Sequence, residues 1–421
     1  MIGNMTVKAF DRKNQLFSIA LLLLVVVIII ARCPELLKSP RFWAEEGEVY
    51  FLAAFQSGFW KSLFLQHMGY YNIVPNVATA LATLVPLELA PFATTYIAFF
   101  FQVLVSAVVI FGNSPFWDTW PKKLLIACGI QLINPFEVWL TTICVHFWLC
   151  IATFFILLER PYDASPIRRN FHRLMLVVAG LSSVSSIFLA PVFLFKAWRN
   201  RLSEFWIQAG ILVIAGLIQV CALATCLLNH EPLASGGRFG QNKFNLSEIL
   251  KFHLFFNLFK PFSDGIFIRP VSAGILIAVC AGLGLFIIYL FFRTMRDKKY
   301  LTIFLAIILV VVMSTLLSIN MASSARYGFA PSAMILVILV NESLQSTKKN
   351  SCRLAIFYMI VIMVSCISGF RSSIYYSPDF PRWHEEVMSW RMDTNKPLKI
   401  WPQFKGRTWQ ISLQLKRSLQ H

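Results

Sequence analysis

Charge is scarce in this chain. Of its 421 residues 14% are charged and only 20 are acidic, whereas 57% are hydrophobic. A soluble domain needs roughly 25% charged residues to wet its surface, so the composition excludes a water-soluble globular protein and points to a membrane protein. Paired cysteines are also missing. The nine cysteines include no CxxC pair, most lie singly in apolar runs, and an odd total argues against a disulfide framework; they are expected to pack as small apolar side chains. No Walker motif or GxGxxG fingerprint occurs, which argues against ATP-driven transport and a nucleotide-sugar domain. His384, Glu385 and Glu386 are adjacent, unlike the spaced ligands of HExxH. They read as a solvated helix face, and no motif calls for a metal or other cofactor. Solenoid repeats and low-complexity segments are absent as well.

What the chain does have is apolar runs separated by short basic loops. Residues 16–32 are about the length that spans a ~30 Å hydrocarbon core, follow Lys8, Arg12 and Lys13, and carry no small-residue cleavage site. They are expected to be a retained first span with a cytoplasmic N-terminus. Further runs cover 91–111, 138–158, 206–228, 271–292, 301–319, 329–340 and 354–369. Net charge is +18, but the positive residues sit in loops 159–173, 196–201, 293–299 and 346–353, as the positive-inside rule expects of cytoplasmic loops. This distribution argues against a nucleic-acid partner.

Three stretches are harder. Residues 73–86 and 124–134 are short for spans, and 174–195 is broken by "SSVSS" and Pro191. If 33–72 is outside and 159–173 inside, one of the four apolar runs between 73 and 158 does not cross, and 174–195 is a hairpin or re-entrant pair. The expectation is an all-α polytopic membrane protein with about nine to eleven spans, some re-entrant or half-spanning. Residues 1–370 form its multi-span domain. Loops 33–72 and 229–270 and the tail 371–421 face outward, although the basic residues of the tail alone would favour the cytoplasm.

Glu45, Glu46 and Glu48 stand together in the first outer loop, between Trp43 and Phe51. They read either as a solvated loop or helix first turn, where carboxylates meet the positive end of the dipole, or as partly desolvated bases. The aromatic flanks, continuing in "GFWKSLFLQHMGYYNIVP", favour interfacial helices. On an α-helix 45 and 48 share a face while 46 points elsewhere, so the three are not expected to play one role.

These residues carry a family resemblance. "RFWAEEGEVYFLAAFQSGF" and "GYYNIVPNVATALATLVP" (41–59 and 69–86) resemble the first external loop of bacterial polyprenyl-phosphate-sugar-dependent membrane glycosyltransferases of the GT-C fold. The resemblance continues in "NPFEVWLTTICVHFW" (134–148), "SSARYGFAP" (323–331) and the tail "FPRWHEEVMSW" with "LKIWPQFKGRTW". Within that family the size and tail are similar to phage-encoded, serotype-converting O-antigen glucosyltransferases.

The resemblance implies an inverting transferase of the bacterial inner membrane. It would move a hexose, glucose in the nearest comparison, from a polyprenyl-phosphate carrier to a surface glycan such as lipopolysaccharide O-antigen, on the periplasmic side. A donor-synthesising transferase and a flippase would be its functional partners. By resemblance Glu46 is the catalytic base, with Glu45 second, although the family more often has Asp at the position of Glu46. Arg326 and Tyr327 would hold the donor phosphate, with Glu48, Tyr70, Glu137, His146 and Trp148 as further substrate-binding residues. An arginine at a span end can equally be an interfacial anchor, Arg269 and Lys260 are alternative cations, and Glu137 and His146 can equally be structural. Two rivals remain. A transporter or flippase of lipid-linked sugars predicts inverted repeats and mid-span charges, and a polymerase or ligase predicts a long arginine-rich outer loop. The sequence shows neither clearly.

Overall fold

Apolar runs in a membrane protein become helices because hydrocarbon offers backbone N–H and C=O groups no other partners. The computed structural model describes residues 12–133, 136–229, 273–297, 300–316, 325–344, 349–370, 380–404 and 407–413. Within them the chain is mostly helical, with two small antiparallel hairpins. The second outer loop beyond residue 229, with Lys260 and Arg269, lies outside the described residues, as do 371–379 of the tail.

Four helices are long and apolar enough to cross a membrane: Asn14–Arg32, Leu87–Phe111, Ser203–Leu228 and Asn350–Ser368. A fifth candidate is the pair Pro166–Ser182 and Val184–Asn200, bent by 120°. Shorter apolar helices cover Ile73–Ala82, Thr142–Leu158, Ala281–Arg293 and Leu301–Ser314. Against about nine to eleven expected spans, four described helices qualify singly by length and composition, or five if the bent pair is one span. These helices make the chain a membrane protein.

The helix breaks have local causes. The Ser165 hydroxyl accepts from the Arg168 N–H, and Pro166 occupies the first turn, where its missing N–H costs nothing. The "SSVSS" interruption works at both ends. Ser183 leaves the helical region to end one helix, and its hydroxyl accepts from the Ser186 N–H to start the next. Close packing needs small residues: a Cβ on Gly180 would lie 2.4 Å from Ala215 Cβ, so only glycine lets these two helices meet.

The bent pair returns to the end of the molecule from which it started. At its beginning Arg168 donates to the Phe111 carbonyl (2.9 Å), and at its finish Lys196 donates to the Leu157 carbonyl. Asn341 bonds the Phe116 carbonyl there (2.7 Å), and Tyr300 packs against Phe116. Residues of the four basic loops therefore gather at one end. At the other end lie residues 32–89, the bend at Ser183 and the tail. Val74 N–H donates to Ser182 Oγ (3.3 Å), and Gln219 Nε2 donates to the carbonyl of Tyr71 (2.8 Å). In the tail, Trp383 donates to the Leu87 carbonyl (2.8 Å) and Arg391 pairs with Glu88 (2.6 Å). The tail therefore shares an end with the first loop.

Candidate functional site

The acidic stretch is not an ordinary helix start. Ala44 takes a left-handed φ of 46°, and Glu46–Phe51 form a wide π-helical turn. Such turns are rare and occur often at functional sites. The wider turn moves Glu48 off the face of Glu45, which an α-helix would have made common. Adjacent glutamates consequently have opposite surroundings.

Glu46 is completely enclosed. Its Oε1 accepts from the Thr142 N–H (2.7 Å) and from the Thr142 hydroxyl, and its Oε2 accepts from the Trp43 N–H (3.2 Å). Burial pushes its carboxyl above the ordinary carboxylate range, against the opposing pull of Thr142, Arg41 and the Trp43 N–H. Glu45 is half-buried and faces a cavity of about 150 Å³.

That cavity unites residues from five separate parts of the chain. Glu45, Tyr50, His67 and Tyr70 come from the first loop, Cys144 and His146 from the start of the Val145–Leu158 helix, and Ser182 and Ser185 from the bend. Ser314 completes the Leu301–Leu316 helix, and Arg326 and Tyr327 open the Ala325–Ser343 helix. Arg326 donates to Glu137 Oε2 (2.9 Å), and its guanidinium lies 5.3 Å from the Tyr327 ring centroid. His146 Nδ1 is 2.6 Å from the Ile143 carbonyl, which can only accept, so Nδ1 carries the proton and Nε2 is the acceptor of the neutral ring.

Of the site residues named from the sequence, Glu45, Tyr70, His146, Arg326 and Tyr327 line this cavity, and Glu137 is tied to it through Arg326. Glu46 and Glu48 are not in its wall. Trp148 is fully buried, donates to the Val138 carbonyl (3.0 Å) and packs edge-on to Trp139 and Phe329. Sequence reasoning missed Thr142, His67 and the serines of the bend. Nothing marks Thr142 within "LTTIC", whereas the "SSVSS" interruption was a signal that identified a break but not its role. Among the described residues no group of three or more His, Cys, Asp or Glu could hold a metal ion.

Compared with known proteins, the chain matches no family model and no curated protein. Function is therefore read from the cavity.

Proposed function

We propose that the chain is an integral-membrane inverting glycosyltransferase that moves a hexose from a polyprenyl-phosphate carrier to a glycan hydroxyl, with Glu45 as the base. The observation that carries this reading is a carboxylate and a guanidinium, Glu45 and Arg326, in the wall of one cavity. Glycosyl transfer from a phosphate needs that pair. The acceptor oxygen attacks the anomeric carbon and loses its proton to Glu45. The carbon–phosphate oxygen bond breaks with its electron pair on the phosphate, and Arg326 offsets the charge that develops there. Glu137 aims the guanidinium, and Tyr70 and His146 stand where they can hydrogen-bond sugar hydroxyls.

Glu46 is assigned a different role from the one the resemblance implies. Its oxygens already accept three hydrogen bonds, and no hydroxyl can approach a side chain with no exposed surface. It anchors the loop that presents Glu45. The cavity lies at the end opposite the basic loops, which by the positive-inside rule favours the periplasmic face of a bacterial inner membrane. Exposed Trp60 and Phe64 in the same loop suit a headgroup-level position beside a lipid-linked donor. O-antigen as acceptor and glucose as the sugar rest on the family resemblance.

The test is transfer from purified polyprenyl-phosphate hexose in proteoliposomes, normalised to protein amount. Glu45→Gln keeps shape but cannot take a proton, and should cut turnover by about 10²–10⁴-fold. Glu46→Gln should retain much more activity per folded molecule. Normal turnover by Glu45→Gln would remove it as the base.

A further inference from the structure

The tail packs against the residues on both sides of Glu45. Its strands Leu398–Phe404 and Arg407–Ile411 pair antiparallel, and the first of them also forms a parallel bridge from Trp401 to Trp43. In that bridge Trp401 N–H donates to the Phe42 carbonyl (3.2 Å), and Ala44 N–H donates to the Trp401 carbonyl (2.5 Å). The residue so held is Ala44, whose left-handed backbone an alanine adopts only when its surroundings impose it. Glu45 is the next residue. Two residues further on, Gly47 fits a socket without room for one more carbon. A Cβ there would lie 2.7 Å from Ile400 Cδ1, 3.0 Å from Ile411 Cδ1 and 2.9 Å from Phe42 Cβ. Arg41 adds a third contact, 4.5 Å from the Trp43 ring centroid and 5.2 Å from that of Trp401.

We propose that the C-terminal hairpin is the positioning element of the Glu45 centre. Trp401, Ile400 and Ile411 hold residues 42–47 from the tail while Thr142 holds Glu46, and together they aim the Glu45 carboxylate into the cavity. This rests on the transferase reading for its catalytic consequence, but the clamp itself does not. A carboxylate on an unsupported loop samples many directions. A misplacement of about 1 Å costs on the order of 10²-fold in rate, so a clamp on both flanks of Glu45 acts on turnover more than on donor affinity. Ile400 and Ile411 are positioning residues and touch no substrate.

The experiment perturbs the socket and then relieves it. Gly47→Ala in the full chain should lower kcat by about 10²-fold with the KM for donor little changed. Adding Ile400→Val and Ile411→Val removes two of the three atoms that the new methyl meets, leaving Phe42 Cβ at 2.9 Å, and should restore kcat severalfold. If Gly47→Ala does not accumulate in the membrane, Ile400→Met crowds the same socket from the tail side and serves in its place. A second readout needs no activity. In a Cys144→Ser background, Glu45→Cys should react with a small cavity-entering thiosulfonate at a rate that shifts severalfold with Gly47→Ala and returns in the triple combination. Unchanged labelling together with unchanged kcat would overturn the clamp, and so would a loss that the two valines do not relieve. Labelling that behaves as described, in a protein whose wild type transfers no sugar, would overturn the transferase reading and leave the clamp standing.

Discussion

Two arginine–glutamate pairs of nearly equal length sit at opposite ends of the molecule. Arg293 meets Glu342 at 3.0 Å, and Arg326 meets Glu137 at 2.9 Å. Their surroundings differ. Glu342 also accepts from the Tyr300 hydroxyl (2.7 Å) and the Ser351 hydroxyl (2.7 Å), and Ser351 in turn accepts from Arg293 (2.8 Å). The Glu342 side chain is 2% exposed. Four parts of the chain are knotted there, and the carboxylate is enclosed by protein donors. The other pair is open: the Arg326 and Glu137 side chains are 36% and 23% exposed, and Arg326 looks into the cavity. The same chemistry is framework where the pair is enclosed by protein donors and is accessible to a ligand where it lines a cavity. Glu46 and Glu45 repeat this contrast one residue apart.

Breaking the closed pair should have the largest effect on the protein itself. Glu342→Ala leaves Arg293 buried and uncompensated, at a cost of about 3–5 kcal/mol. Membrane abundance and resistance to denaturant should fall accordingly, while transfer per folded molecule persists. The open pair should invert that pattern. On the proposed function, Arg326→Ala removes the charge that would stabilise a departing phosphate, worth about 2.7–4 kcal/mol or 10²–10³-fold in turnover. Stability should change by no more than about 1 kcal/mol, as for a partly exposed pair. Arg326→Lys should remain impaired, since a point charge lacks the planar fork that matches phosphate oxygens. An Arg326→Ala protein that is scarce but fully active per molecule would make the two pairs alike and end the comparison.

Protonation sharpens the contrast between the neighbouring glutamates. Burial raises the Glu46 carboxyl above its unfolded value, which is near ~4.3. Such a group binds its proton more tightly when folded. Its contribution to stability is full below the unfolded pKa and is lost as pH rises through the folded one, with a slope of at most about 1.4 kcal/mol per pH unit. Denaturation of wild type and Glu46→Gln from about pH 4 upward should therefore show wild type losing stability relative to the variant. A difference that grows in wild type's favour with rising pH would mean that Thr142 and Arg41 hold the carboxylate ionised and outweigh its burial. The smallest effect on transfer belongs to Trp148→Phe, which loses the indole hydrogen bond to the Val138 carbonyl and leaves a void between Trp139 and Phe329. It should cost about 1–3 kcal/mol of stability and leave transfer per folded molecule intact, and a large loss of turnover would return Trp148 to the substrate site.

The helical membrane character, the breaks near 183 and the grouping of basic loops were legible in the sequence, because these follow from local composition and from periodicity along the chain. The sequence also singled out the stretch from Trp43 to Phe51 and the Arg326–Tyr327 pair, since charge in apolar surroundings is conspicuous in any one-dimensional reading. It could not separate Glu45 from Glu46. Their different surroundings depend on a left-handed Ala44, a π-turn and a threonine 96 residues away, none of which has a local signature. Nor could it place Trp148 in the core or bring the bend at Ser183 to the cavity wall, because side-chain direction there is set by packing between helices distant in sequence. The basic residues of the tail even pointed to the opposite end of the molecule. What brings the tail to the first loop is a backbone bridge at Trp401 and an isoleucine socket around Gly47. Such contacts exist only when both partners are folded, so no local pattern along the chain announces them.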